Sequence, residues 1–176
     1  DILNDMVKKL NITNSTKLDS SKQYIPTDET TIGIVRQEFT DVDKTYWSRF
    51  NISLETLKKF NVFSIKYYLC NGVVKGIYKD DSPMYAYKVY DNFKIYRPLA
   101  DKFTKWRNNL TTYDIQGYEQ LPLSGDLLII TKSLKDVMCF HEMGIPAISP
   151  SSESTFIPNN VLEQLKKHFK RIIVMF

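Results

Sequence analysis

The sequence predicts an α/β protein in which an α+β N-terminal subdomain, built on an antiparallel meander, precedes a partial parallel β-α-β-α-β unit. Three observations predict it. Between Val62 and Arg97 four runs rich in Tyr, Val, Ile and Phe follow one another with turn residues between them. From Asp126 the pattern changes to short apolar runs alternating with helical periodicity, which calls for crossovers and a parallel sheet. The 176 residues, 43% hydrophobic and 25% charged, have the balance of a chain that buries a sizeable core, which excludes disorder over most of the length.

Ile2, Leu3, Met6, Val7 and Leu10 share one helical face, so residues 2–10 are expected to form a short amphipathic helix. From Asn11 to Thr31 the chain turns to Ser, Thr, Asn, Asp and Lys, the composition of a linker. The boundaries that follow are 1–32 for helix and linker, 33–124 for the N-terminal subdomain and 125–176 for the parallel unit. Asp43 can cap a short helix carrying Tyr46, Trp47 and Phe50, and Ser53 a second carrying Leu54, Leu57 and Phe60, because an Asp or Ser oxygen accepts the free first-turn N–H groups. The meander strands are expected at 62–69, 73–78, 85–90 and 93–97, with Asn71-Gly72 and Asp91-Asn92 at the turns.

The parallel unit is expected as strand 127–131, helix 133–143 closed by Gly144, strand 145–149, helix 160–169 and strand 172–176. In such a sheet ligands gather at the C-terminal ends of the strands. That rule selects Thr131 to Ser133 and Ser149 to Glu153. The final run, Arg171 to Phe176, reads as a core strand, and the expectation is that the unit continues past it.

The sequence excludes several function classes. Cys70, Cys139, His141 and His168 have no zinc-ligand spacing, so no zinc site is expected. Cys139 reads as a small buried hydrophobe and His141 as a packed helix residue. No apolar run has the length of a membrane span and the start lacks a secretory signal, which predicts a cytoplasmic protein, in a host's cytoplasm if viral, with no membrane partner. The four Asn-x-Ser/Thr sequons, at Asn11, Asn14, Asn51 and Asn109, then carry no meaning.

The net charge of +4 is too small to announce a polyanionic partner, but it is unevenly spread. From Lys88 to Arg107 stand Lys88, Lys94, Arg97, Lys102, Lys105 and Arg107 against Asp91 and Asp101, an excess equal to that of the whole chain. Tyr90, Tyr96, Phe103 and Trp106 are interleaved with them. Cations for phosphates and rings for bases are what single-strand binding needs. Strand alternation that separates a core face from a solvated one would give the same pattern.

Leu127-Leu-Ile-Ile-Thr-Lys-Ser-Leu-Lys-Asp136, followed by Gly144-Ile-Pro-Ala-Ile-Ser and by the last strand, resembles the TOPRIM domain, the magnesium-binding module of DNA primases, topoisomerases and some nucleases. The order of helical pair, Tyr-rich meander, basic loop and this unit narrows the resemblance to the RNA-polymerase core of phage and bacterial primases and primase-helicases. Phe93-Lys-Ile-Tyr-Arg-Pro, Lys105-Trp-Arg-Asn-Asn and Gln116-Gly-Tyr-Glu-Gln-Leu-Pro carry that part.

The resemblance implies an enzyme, a DNA primase that joins ribonucleoside triphosphates into an RNA primer on a single-stranded DNA template with Mg2+, beside a fused or separate replicative helicase. In it Lys88, Lys94, Arg97, Lys102, Lys105 and Arg107 would hold phosphates, Trp106 or Tyr96 would stack a base, and Lys132 with Asp136 would border the nucleotide. Two departures matter. Lys132 stands where the family has its metal-binding Glu, with Ser133 in place of a Gly, and the family's Asp-x-Asp pair is not present, so a complete metal site is not expected in these residues. Lys132 reads as a solvated tip, as a phosphate ligand beside Ser133 at the helix start, or as a residue whose lost carboxylate Glu153 supplies from the next loop. Asp136 either serves a metal site or stabilises its helix N-terminus. The rival functions are a non-catalytic nucleic-acid-binding or docking module with a degenerate site, and a TOPRIM nuclease.

Overall fold

The computed structural model describes residues 30–176. The helix expected at residues 2–10, and the linker as far as residue 29, lie outside them. Strand β1 (Ile32–Gln37) is followed by helices α1 (Asp41–Ser48) and α2 (Leu54–Lys59), then by β2 (Val62–Cys70), β3 (Val73–Ile77), β4 (Tyr85–Val89), β5 (Asn92–Tyr96) and β6 (Trp106–Asn108). After a short 3₁₀ turn come β7 (Gly125–Ile130), α3 (Leu134–Glu142), β8 (Ala147–Ile148), α4 (Asn159–His168) and β9 (Phe169–Val174).

Local chemistry sets these ends. Thr40 caps α1, accepting from the Asp43 N–H while the Asp43 carboxylate accepts from the Thr40 N–H, a reciprocal pair that leaves Asp43 inside the helix rather than at its cap. Ser53 caps α2 as expected. At the β2–β3 hairpin Asn71 and Gly72 both take positive φ, the turn that suits the twist of the strands. The β4–β5 turn lies one residue earlier than expected: Val89 pairs with Asn92, and Tyr90, not Asn92, takes the positive φ of 51°.

Two sheets result. The antiparallel sheet has six strands in the order β1-β2-β4-β5-β6, with β3 on the outer half of β2. The parallel sheet has the order β8-β7-β9. The final strand begins at Phe169, three residues before the expected Ile172, because α4 stops at His168.

Strand alternation distributes the core. Tyr85, Tyr87 and Tyr96 point from the antiparallel sheet toward α1, α2 and α3, where they join Trp47, Leu57, Phe60, Leu134, Val137 and Met138 in one cluster that also takes in Ile129 of β7 and Ala147 of β8. Leu128, Ile130 and Ile148 point to the other face of the parallel sheet, where Leu165 of α4 and Phe169 at the start of β9 cover them. α3 and α4 thus lie on opposite faces, and the loops leaving β7 and β8 part at the C-terminal edge, where a crevice opens.

Candidate functional site

The loops after β7 and β8 meet the end of the antiparallel sheet in a cleft of about 480 Å³ lined by Lys94, Trp106, Asn108, Lys132, Ser133, Ser152, Glu153 and Ser154. Five of these, Lys94, Trp106, Lys132, Ser133 and Glu153, are residues singled out from the sequence, and the fold brings them together from four separate segments.

Register explains which residues of the basic segment reach the cleft. Lys94 pairs with Asn108 and Tyr96 with Trp106, and cross-strand partners project from the same face. Ile95 pairs with Arg107, and Phe93 with Lys88, so Lys88 and Arg107 share the opposite face with Ala86 and Ile95. Arg97, two residues beyond Ile95, follows them. The segment is therefore split: Lys88, Arg97 and Arg107, expected among the phosphate-holding cations, belong to the face turned away from the cleft, a division that strand alternation allows. Lys102 and Lys105 sit in the loop before β6, Lys102 with its ammonium 4.9 Å from the Phe103 ring centre and Lys105 5.8 Å from that of Tyr96.

The placement of Tyr96 goes against the stacking role offered to it beside Trp106. It is 5% exposed, its hydroxyl is 2.7 Å from that of Tyr46, and its ring stacks on Trp106 at 4.3 Å, so it supports the floor of the cleft and offers no surface for a base. Trp106, half-buried, lines the cleft itself.

Lys94, expected to hold a phosphate, is 7% exposed. Its Nζ donates to the carbonyl of Ser151 at 2.7 Å and lies 4.8 Å from the Trp106 ring centre. Burial pushes its ammonium down to about pKa 8, a fall that the nearby Glu153 carboxylate opposes.

The acceptor loop is held from behind. Gln116 is fully buried, and its side-chain amide donates to the Ser149 hydroxyl at 3.0 Å and to the Pro150 carbonyl. Its backbone exchanges 2.9 Å hydrogen bonds with Ser149 in both directions. Gln116 thus fixes the path of Ser149 to Ser151, which in turn presents the carbonyl to Lys94. Asn108 and Gln116 fall in quoted motifs and Ser152 in the strand-end loop, but the sequence assigned none of them a role, and Ser154 lies outside every segment it selected. The signal in the sequence was the Gln116-Gly117 pair, a glycine able to take the positive φ of 85° that it holds here.

Asp136 does not line the cleft. Its carboxylate accepts from the Ser133 hydroxyl at 2.8 Å, and its N–H donates back to that oxygen at 3.3 Å, so the pair closes the first turn of α3. Of the two roles open to Asp136, the contacts are those of helix stabilisation. Among the described residues no group of three His, Cys, Asp or Glu is placed to hold a metal ion. His141 packs edge-on to Phe60 at 5.1 Å and Cys139 donates to the Phe50 carbonyl at 3.7 Å, both away from the cleft. No helix among the described residues is long and apolar enough to cross a membrane.

No protein-family description matches the chain, and no curated protein matches it. Solved structures do. It is similar to the DnaG primase catalytic domain bound to ssDNA (12% identity, TM-score 0.55, 78% of this chain and 56% of that one) and to the E. coli primase catalytic core (13%, 0.54, 78% and 56%). It is also similar to the primase fragment of the bacteriophage T7 primase-helicase (17%, 0.52, 73% and 52%). The chain spans about half the length of these structures. Across the antiparallel sheet, the helices beneath it and the parallel strands beyond, the described residues carry the fold of the primase catalytic core.

Proposed function

We propose that the chain is part of a DNA primase, an enzyme that assembles an RNA primer from ribonucleoside triphosphates on a single-stranded DNA template. One observation carries the reading: on a primase-core fold, two lysines and a tryptophan converge in the cleft at the C-terminal edge of the parallel sheet, where nucleotide phosphates and bases meet complementary groups. In this reading the parallel unit is the TOPRIM part, Lys132 and Lys94 border the triphosphate, Trp106 lies beside a base, and Lys102 and Lys105 track the template on the loop before β6.

Mg2+ is the ion such enzymes use to neutralise the reacting phosphates. The residues present do not compose its site: Asp136 is engaged in its helix cap, and the strand end carries Lys132. No step is assigned to the ion from these residues. The same two facts favour the second reading, a module that binds nucleic acid and nucleotide without joining them.

A templated synthesis assay separates the two. The product of the open reading frame that encodes this chain, given single-stranded DNA, labelled ribonucleoside triphosphates and Mg2+, is expected to yield short RNA whose sequence follows the template. Template binding with no RNA made would establish the binding module instead, and DNA cleavage without triphosphates would establish a nuclease.

A further inference from the structure

We infer that the cleft captures a phosphate group directly on the ammonium groups of Lys132 and Lys94, with no metal ion between protein and phosphate. The inference rests on the primase reading for the source of the phosphate, a nucleotide or a template strand, and goes beyond it in the chemistry of capture.

The lining is a set of donors. Lys132 is exposed at the mouth, in the two-residue link from β7 to the cap of α3. Lys94 forms the wall, with one ammonium proton on the Ser151 carbonyl and two more for other acceptors. The Asn108 amide and the hydroxyls of Ser152 and Ser154, the two hydroxyls 3.1 Å apart, line the same space. A phosphate oxygen accepts from every one of these groups, and bonds to charged donors are the strong ones.

The same lining is wrong for a divalent cation. Mg2+ takes hard oxygen ligands, usually including one or two carboxylates. The cleft offers Glu153 alone, beside two ammonium groups that repel a cation. Asp136, the next acid along, is turned into its own helix and held by Ser133.

Glu153 makes the idea testable by sign. In the empty cleft it offsets the charge of Lys94, as its effect on that ammonium shows. Toward an incoming phosphate it is a repulsive neighbour. Removing its charge should therefore strengthen binding, whereas in a metal-bridged site loss of the one carboxylate would weaken it.

Tryptophan emission reads the cleft. The chain has two tryptophans; Trp47 is 1% exposed in the core and Trp106 lines the site. In EDTA, ATP or inorganic tripolyphosphate is expected to change the emission saturably in the wild type and not in Trp106→Phe. Lys132→Ala, at an exposed position that leaves the fold intact, should raise Kd about tenfold, the loss of one charge-assisted contact. Glu153→Gln should lower Kd, and Mg2+ should fail to lower it. A short oligothymidylate run in parallel identifies the source: a response to it alone assigns the phosphate to the template backbone. Binding seen only after Mg2+ is added, or a Kd unmoved by Lys132→Ala, would overturn the inference. Those results would leave the primase reading standing, since that falls only if templated RNA is absent.

Discussion

Lys94 keeps an ammonium where water barely reaches, surrounded by the Ser151 carbonyl, the Trp106 ring and the Glu153 carboxylate. The arrangement costs stability at neutral pH and returns it at alkaline pH. With the folded-state value pushed down to about 8 against 10.5 in the unfolded chain, the unfolded state binds more protons between those limits, so stability rises with pH across that window. Below pH 8 the charging penalty is present in full. Lys94→Met removes the titration. The stability of the wild type relative to this variant, measured by urea unfolding, is expected to grow by about 3 kcal/mol between pH 7 and 10.5. A flat difference would mean that Lys94 is solvated in the native state. The sequence supplied the residue, since Lys94 was named among the phosphate-binding cations, but charge density has no direction. Only the pairing of β5 with β6 decides that Lys94 faces the cleft while Arg107 faces away.

Gly117 shows how one loop sets the cleft at the scale of elements. It holds φ at 85°, and a Cβ there would lie 2.7 Å from the Val137 Cγ1 of α3 and 3.0 Å from the Ala147 carbonyl oxygen of β8. Its neighbour Gln116 is thereby pressed onto the Ser149 to Ser151 loop that receives Lys94. Gly117→Ala is expected to cost about 2–4 kcal/mol, from positive φ, overlap with the Val137 side chain and a tight approach to the Ala147 carbonyl, and to lower the urea midpoint without changing the slope. A loss under ~1 kcal/mol would show that α3 and β8 shift to accept it.

The elements themselves were legible in unequal measure. The periodicity change at Asp126 located β7, α3, β8 and α4 because strands buried on both faces read as short apolar runs and each helix carries one apolar stripe, and Asn71-Gly72 located its hairpin because few dipeptides take positive φ twice. β1 was invisible: Ile32 to Gln37 follows a polar stretch, and its strand state is imposed by pairing with β2. β6 is three residues held by β5 alone, too short for any period to register. The start of β9 was missed because Lys166 to Arg171 carries no Gly or Pro, and the stop of α4 comes from the pairing of Phe169 with Gly125 on β7.

At the scale of the molecule, one apolar cluster runs from Tyr85 and Tyr87 of the antiparallel sheet through α1, α2 and α3 to Ile129 and Ala147 of the parallel sheet. The cleft sits over that cluster, so its two walls keep their relation only while the shared core is intact. The periodicity changes at residue 125, the boundary expected from the sequence, but a change of secondary structure is not a gap in packing. Leu134, 2% exposed, is the first residue of α3 and lies in the joint core directly behind the Lys132-Ser133 edge. Leu134→Ala should cost about 2–5 kcal/mol, as a large-to-small change at a buried site does. If the core makes one cooperative unit, emission of Trp47 and Trp106, followed separately in Trp106→Phe and Trp47→Phe backgrounds, should lose its native signal at the same urea concentration as far-ultraviolet circular dichroism. Leu134→Ala should then move all three midpoints together. A parallel unit that unfolds on its own would instead separate them, with the Trp106 signal lost first and that of Trp47 retained. In that case the cleft would be assembled by docking of two independent bodies, and its phosphate affinity would fall with urea well before the antiparallel sheet unfolds.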